Sequence, residues 1–582
     1  MDMNIIRETS EAVRSLICAA MQRAVADGAL KDAPLPDFVV EIPADTARGD
    51  FATNAAMAGA RAFGLPPRKV AEAVCARLDL AGTPFVRYEI AGPGFINLFV
   101  GQGWFTSILR AVQEEGEAYG RSDYGRGAKY MVEFVSANPT GPMHMGNARG
   151  GAMGDCLAAA LDWAGYDVTR EFYVNDAGNQ IEKFGLSLAL RYLQIYKGEE
   201  AVPLPEDCYQ GEDIKVHAAN FAAIHGDKYV DGDLEELKSA LVAFALPKNL
   251  EKMKSDLDAY RIRYDVWFRE STLHQSGAVQ AVVDLLTQQG MTYEKEGALW
   301  YKNAQVLADG LRRQGKTEQQ IAALELKDDV LVRANGNPTY FAADIAYHYN
   351  KFAVRGFERV INIWGADHHG HVARMKGALD AVGLDGSKLD IVLMQLVRLT
   401  QDGKPVKMSK RTGKAITLST LLEDIPVDAA RFFFNLREPG STLDFDLDLA
   451  VEQSAQNPVY YVQYAHARIC SILKNLAAEG ISPRPVTEAE LGLLSAPEEQ
   501  ELIRRLGALP AEIIEAARAY DPARLTKYVI DVATLFHKFY NACRVKCDDE
   551  SLMQARLALC LSVRTVLRNT LQLLKITAPE TM

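Results

Sequence analysis

Residues 137–147 read Ala-Asn-Pro-Thr-Gly-Pro-Met-His-Met-Gly-Asn, a run without a carboxylate that ends near an imidazole, His144, and a carboxamide, Asn147. At a helix N-terminus such a run suits a phosphate. Unpaired backbone N–H groups and partial positive charge attract an anion there, Gly141 and Gly146 admit close approach, and His144 adds a donor where charge grows on a reacting phosphate. The same residues would equally make a Pro/Gly turn that caps a helix. Residues 404–414, Lys-Pro-Val-Lys-Met-Ser-Lys-Arg-Thr-Gly-Lys, form a second chemical run, dense in cations. Lysine is a compact charge on a flexible stem, suited to a loop that closes over a triphosphate and reopens to release pyrophosphate. Taken alone, the run also fits a solvated basic loop.

Two further groups carry chemistry. Tyr340 and Asp344 stand four residues apart, so on a helix they share a face and offer a paired acceptor to a forked cation; in isolation they are also an ordinary helix surface. The run Asp367-His368-His369-Gly370-His371 has the donors of a metal site. Adjacent side chains in a strand or turn point apart, however, and no protein-bound metal is expected.

The elements that must position these groups are legible in outline. A strand (Tyr130 to Val135), a Pro/Gly loop, an Ala/Gly-rich helix (about Gly146 to Ala164) and a strand (Asp167 to Val174) form a βαβ unit, which implies an α/β fold built on a Rossmann-like, doubly wound parallel sheet. Strand-like runs resume at Arg359 to Gly365 and at Asp390 to Leu399, giving a catalytic domain over 125–400 with a helical insertion at about 180–330. Residues 1–115 read as a separate α/β module, 400–450 as the Lys-rich loop with connecting helices, and 451–582 as an all-helical bundle. Residues 310–317, Gly-Leu-Arg-Arg-Gln-Gly-Lys-Thr, match the P-loop pattern, yet no buried strand precedes them. Residues 304–327 are read instead as an inserted helical hairpin.

Composition narrows the class. Hydrophobic content of 48% with 24% charged residues is that of a globular protein, and no apolar run is long enough to span a bilayer. The mixed-charge start lacks the pattern of a secretory leader, so a cytoplasmic location is expected, and eight cysteines read as reduced thiols. The net charge of −12 argues against a uniformly basic nucleic-acid binder. From residue 451 onward 15 basic residues balance 15 acidic ones, so a nucleic-acid surface would have to be local.

Together and in this order, the two runs resemble the paired His-Ile-Gly-His and Lys-Met-Ser-Lys signatures of class I aminoacyl-tRNA synthetases. The resemblance implies catalytic roles for His144 and Asn147 on one side of the ATP α-phosphate and Lys407 and Lys410 on the other, with Met143, Gly146, Gly365, Asp367 and Ser409 in ATP binding. Asn147 departs from the signature, where a second histidine is usual; an amide still donates but carries no charge.

Residues 132–138, 340–348, 365–371 and 457–468 resemble arginyl-tRNA synthetases in particular, over nearly the whole chain. That likeness implies an arginine site in which Tyr340 and Asp344 hold the guanidinium with Glu133 as second carboxylate, while Ser136, Asn138 and His368 hold the amino-acid end. It implies tRNA contacts at Asp50, Phe51 and Asn54, which would equally be only a helix start. Further tRNA contacts fall at Tyr460, Tyr461, Gln463, Tyr464 and Arg468, about half of that stretch having to face the bundle's own core. The expected partners are L-arginine and tRNA(Arg), with ATP and Mg2+ as co-substrate, no membrane, and a monomeric chain. The rivals are a class I synthetase of another specificity and a small-cofactor nucleotidyltransferase, which has no use for a helical C-terminal domain.

Overall fold

The computed structural model describes residues 4–43, 45–406 and 416–582. Its central sheet has five strands: β1 (Lys129–Glu133), β2 (Asp167–Val174), β3 (Val266–Arg269), β4 (Arg359–Gly365) and β5 (Leu389–Met394). All neighbours run parallel, in the order β5-β4-β1-β2-β3. The order reverses between β1 and β4, and an open parallel sheet binds ligands in the crevice that this reversal leaves at the strands' carboxyl ends.

Three helices flank that crevice: α1 (Met145–Trp163), α2 (Tyr340–Tyr349) and α3 (His369–Ala381). Nearly every residue of α1 from Ala148 to Trp163 is buried, as befits a helix rich in Ala and Gly with no polar face. Close approach explains the glycines: a Cβ on Gly154 would lie 2.2 Å from the Phe134 ring, so only glycine lets α1 sit this low on the sheet. An ion pair also anchors α1. Asp155 accepts from the fully buried Arg431 at 2.6 Å, and Arg431 donates further to the carbonyls of Tyr260 and Leu574, both at 2.9 Å.

The stretch read as a helical insertion is only partly that. Helices Asn179–Lys197, Glu212–His225 and Leu234–Ala259 do pack around a core of their own. The chain then returns to the main sheet as β3 and adds a small antiparallel sheet, Thr292–Lys295, Ala298–Tyr301 and Asp329–Val332. Four-residue strands carry too little periodicity to stand out among helices. The P-loop look-alike lies on helix Asn303–Arg313 and the turn after it, and Thr317 caps the next helix through its hydroxyl. Residues 400–450 also differ from the expectation, since Leu443–Asp446 pairs parallel with strand Val397–Gln401.

The N-terminal module holds a four-stranded antiparallel sheet against helix Ile5–Ala26. It corrects the RNA-contact reading of Asp50 and Phe51. Phe51 is a core residue, edge-on to Phe85 and Trp104, and the buried Asp50 carboxylate accepts from the Val100 N–H at 2.8 Å and pairs with Arg504 of the C-terminal bundle. Asn54 is half-buried and accepts from the Val39 N–H at 2.9 Å. The bundle consists of helices Pro458–Ala478, Pro497–Gly507, Leu509–Ala519, Ala523–Ala542 and Glu550–Leu573, and one apolar cluster runs through the N-terminal module, α1 and these helices. Among the described residues no helix is long and apolar enough to cross a membrane.

Asp155→Ala, which leaves Arg431 buried without a carboxylate, is expected to cost about 3–5 kcal/mol. Arg431→Met should cost less, because Asp155 keeps Arg170 within 3.6 Å. Denaturation midpoints of the two single variants and the double variant test this; equal losses would refute it.

Candidate active site

The backbone leaves β1 under strain. Val135 and Ser136 both take the left-handed region, with φ of 69° and 41°. The surroundings over-determine that geometry: the Ser136 hydroxyl donates to Glu133 at 3.0 Å and accepts from the Tyr173 N–H at 3.1 Å, while Tyr264 donates to the Phe134 carbonyl at 3.0 Å. The turn then delivers residues 137–144 to the start of α1.

There His144 and Asn147 cap the helix reciprocally. The Gly146 N–H donates to His144 Nδ1 at 3.1 Å, and the His144 N–H donates to Asn147 Oδ1 at 3.0 Å. With Nδ1 accepting, a neutral His144 carries its proton on Nε2, free to donate to a ligand. Asn147 spends its oxygen on the cap, which leaves its NH2 as the donor. Its position in place of a second histidine thus has a local reason.

His144, Gly146, Asn147 and Gly150 form one wall of a cavity of about 660 Å³ in the crevice. Val135, Ile363, Gly365, Ala366, Asp367, His368 and the segment Met394–Val397 supply the rest. Met143 has its side chain in the core, and its carbonyl accepts from the Leu418 N–H at 2.9 Å. Lys407, Ser409 and Lys410 lie outside the described residues. What flanks them does reach the His144 segment: Thr417 forms a bridge with His144, and Val397, which opens the strand paired to Lys404–Val406, lines the same cavity.

Beside this cavity, α2 presents Tyr340 and Asp344 on one face, with Thr339 capping the helix. The Tyr340 ring lies against Gly178, where a Cβ would stand 3.0 Å from the ring. Four acids cluster at the ends of β1 and β2 and around α2, and their partners differ. Glu133 is paired to the buried Lys351 and Glu171 to Arg355, whereas Asp344 and Glu270, among the described residues, have no lysine or arginine partner and only a histidine each as ionisable base, His371 at 3.2 Å and His274 at 3.4 Å. Glu133, read as the second carboxylate, is therefore already neutralised, and the Ser136 hydroxyl is spent on the turn.

Glu270, just past β3, is a further buried acid close enough to Asp344 to feel its charge, and no motif pointed to it. Burial, and secondarily the charge of Asp344, raises its pKa. Tyr173 hydrogen-bonds to it, and the Asn175 amide lies within 2.9 Å of Glu270 and 3.2 Å of the Asn138 carboxamide. Below, Lys351 donates to Asn362 at 3.1 Å, Asn362 donates to His348 Nε2 at 2.8 Å, and His348 Nδ1 donates to the Asp344 carbonyl at 2.8 Å. Burial and Lys351 hold His348 neutral, which fixes that tautomer.

In the bundle, Tyr460 stacks with Tyr464 at 6.4 Å, Tyr464 and Tyr461 both meet His537, and Arg468 sits 4.3 Å above the Tyr540 ring. His537 and Tyr540 were not legible as members of this group. Gln463 turns the other way: its amide donates to Asp428 at 2.8 Å and to the Thr577 carbonyl at 3.0 Å, which removes it from the aromatic surface.

A doubly wound sheet with a phosphate-suited helix start in its crevice and a helical C-terminal bundle defines a class I aminoacyl-tRNA synthetase. Family models agree: "tRNA synthetases class I (R), catalytic domain" matches residues 111–469, "Arginyl tRNA synthetase N terminal domain" 11–100, and "DALR anticodon binding domain" 462–582. The chain belongs to the arginyl-tRNA synthetase family, a class that uses ATP. It is 53% identical over 579 residues to an arginine–tRNA ligase of Caldanaerobacter subterraneus subsp. tengcongensis and 52% identical over 580 residues to one of Moorella thermoacetica, with 100% of each chain covered in both cases. Its fold is similar to that of the Thermus thermophilus arginyl-tRNA synthetase, with a TM-score of 0.71 at 23% identity, covering 97% of this chain and 99% of that one. A methionyl-tRNA synthetase of Mycobacterium tuberculosis shares the fold at a TM-score of 0.55 and 13% identity, covering 77% and 91%.

Asn147→Ala removes the acceptor for the His144 N–H and is expected to lower stability by about 1 kcal/mol, as loss of a helix cap does. Asn147→Asp keeps the acceptor and should hold the thermal midpoint; a midpoint unmoved by Asn147→Ala would show that the cap does not matter.

Proposed function

We propose that this chain activates L-arginine with ATP and transfers it to the terminal ribose of tRNA(Arg). The observation that carries the reading is the pair Asp344 and Glu270, two carboxylates without a lysine or arginine partner among the described residues, beside a cavity whose wall is a helix N-terminus. A guanidinium satisfies both acids with parallel hydrogen bonds. A neutral or shorter substrate leaves a desolvated carboxylate unpaired, and that penalty supplies discrimination without editing.

In the first step the arginine carboxylate attacks the ATP α-phosphorus and pyrophosphate leaves, forming arginyl-adenylate. In the second a ribose hydroxyl of tRNA, the 2′ by likeness to the class, attacks the acyl carbon and AMP leaves. His144 Nε2–H, the Asn147 amide and the N-terminal amides of α1 neutralise charge on the α-phosphate, and Lys407 and Lys410 act on the departing pyrophosphate. Magnesium enters on the nucleotide as part of the substrate. Tyr340, Asp344 and Glu270 hold the guanidinium, and Asn138 and His368 the amino-acid end. Tyr460, Tyr461, Tyr464, Arg468 and His537 offer stacking surfaces to unpaired anticodon bases. The N-terminal module takes the outer corner of the tRNA, using surfaces other than Asp50 and Phe51. The enzyme works as a cytoplasmic monomer.

Charging of total tRNA with arginine tests the reading, and Lys410→Ala should reduce the rate by at least about two orders of magnitude, roughly 3 kcal/mol of transition-state stabilisation. An unchanged rate would remove that lysine from the mechanism. A second expectation follows from Glu270. Its raised pKa means that protons compete with the guanidinium at a higher pH than for an ordinary carboxylate, so KM for arginine should rise, by at least about threefold, toward acid pH. Glu270→Gln should raise KM throughout and flatten that slope; a slope retained in the variant would assign the titration to another group.

A further inference from the structure

Arg149 lies one turn into α1 and is wholly buried. Its two terminal nitrogens donate to the Gln395 carbonyl at 2.7 Å and the Glu438 carbonyl at 3.1 Å, its Nε has no hydrogen-bond partner, and among the described residues no carboxylate pairs with it. Burial without a countercharge draws its pKa down to about 10. Burying a cation this way is costly, and a neutral side chain would fill the space at less expense.

The two carbonyls show what the cation does. Gln395, Leu396 and Val397 form the cavity wall across from His144, Gly146 and Asn147. That segment is joined to residues 438–443 by the Gln395 N–H donating to the Pro439 carbonyl at 3.0 Å and the Leu443 N–H donating to the Leu396 carbonyl at 3.3 Å. Arg149 fastens both segments to the signature helix. From Val397 the chain runs along the strand pair that ends at Val406, one residue before Lys407. A single guanidinium therefore ties the phosphate-facing end of α1 to the root of the second signature.

We propose that Arg149 is a positioning residue for adenylate formation, its forked guanidinium setting the spacing between the α1 N-terminus and the 395–397 wall so that ATP is held in line for attack. The proposal rests on the ATP-dependent reading of this cavity. Bridging two carbonyls needs a planar fork with several donors; a lysine ammonium on a flexible stem keeps the charge but not the bridge.

The test is aminoacylation of total tRNA with ATP and then arginine as the varied substrate, on wild type, Arg149→Lys and Arg149→Met, with thermal midpoints in parallel. KM for ATP is expected to rise at least about tenfold in both variants, while KM for arginine stays within about twofold, because misplacement falls on the nucleotide wall alone. A merely structural role predicts a lower midpoint and fewer active molecules with KM for ATP unchanged, and that result overturns the proposal. Full rescue by Arg149→Lys overturns it too, since charge alone would then suffice. Should Arg149→Met fail to fold, Arg149→Lys carries the test. A wild type that charges no arginine refutes the proposed function; a charging wild type with unaltered variants refutes this inference only.

Discussion

A parallel sheet whose strand order reverses once has one crevice, and every chemical feature of this molecule depends on the N-terminus of α1 staying in it. The helix cannot be held there by its own propensity, being Gly-rich from Met145 to Gly154. It is held by burial on all sides, by the Asp155–Arg431 pair at its middle, and by the reciprocal cap of His144 and Asn147 at its start. The strained turn at Val135 and Ser136 belongs to the same constraint. A relaxed backbone would carry the chain along the β1 direction, and the hydrogen bonds of Ser136 hold it in the turn that leads to α1.

Electrostatic arrangement beside the crevice separates structural acids from available ones. Glu133 and Glu171 are both buried, and each is matched by a cation from the segment after α2, Lys351 or Arg355. One wide π-type turn at Asn350–Val354 puts both cations under the sheet ends. With those two acids satisfied, the remaining negative charge belongs to Asp344 and Glu270, which histidines partner weakly or not at all depending on protonation. In the proposed reading, a guanidinium would be held by these two acids without first displacing a lysine or arginine.

What the sequence made legible follows from the range of the interactions involved. The His144 run could be read because a helix N-terminus is local chemistry, and Tyr340 with Asp344 because four residues span one helical turn. Glu270 could not, since what singles it out is its proximity to Asp344 and the pairing of Glu133 with Lys351, 218 residues away. Asp50 and Gln463 misled for the same reason. The partner of Asp50 lies 454 residues on, and Gln463 bonds to a chain segment 114 residues further along, so nothing nearby in sequence tells a committed polar group from a free one. β3 was hidden among helices because four residues cannot establish a period.

The C-terminal bundle meets the catalytic sheet at the end opposite the crevice. Tyr520, at a left-handed turn between two bundle helices, donates to Asp390 at 2.7 Å, and Asp390 also takes Arg359 at 2.6 Å; both acid and arginine stand at the starts of β5 and β4, a strand's length from the crevice. A second junction gathers Arg261, Gln463 and Thr577 around Asp428, and a third runs from Leu574 through Arg431 to Asp155 on α1. All three junctions end on strands or helices of the catalytic core and none on the cavity walls. The bundle is therefore fixed to the strands and helices that frame the crevice, while Arg149 separately fastens the 395–397 wall to α1.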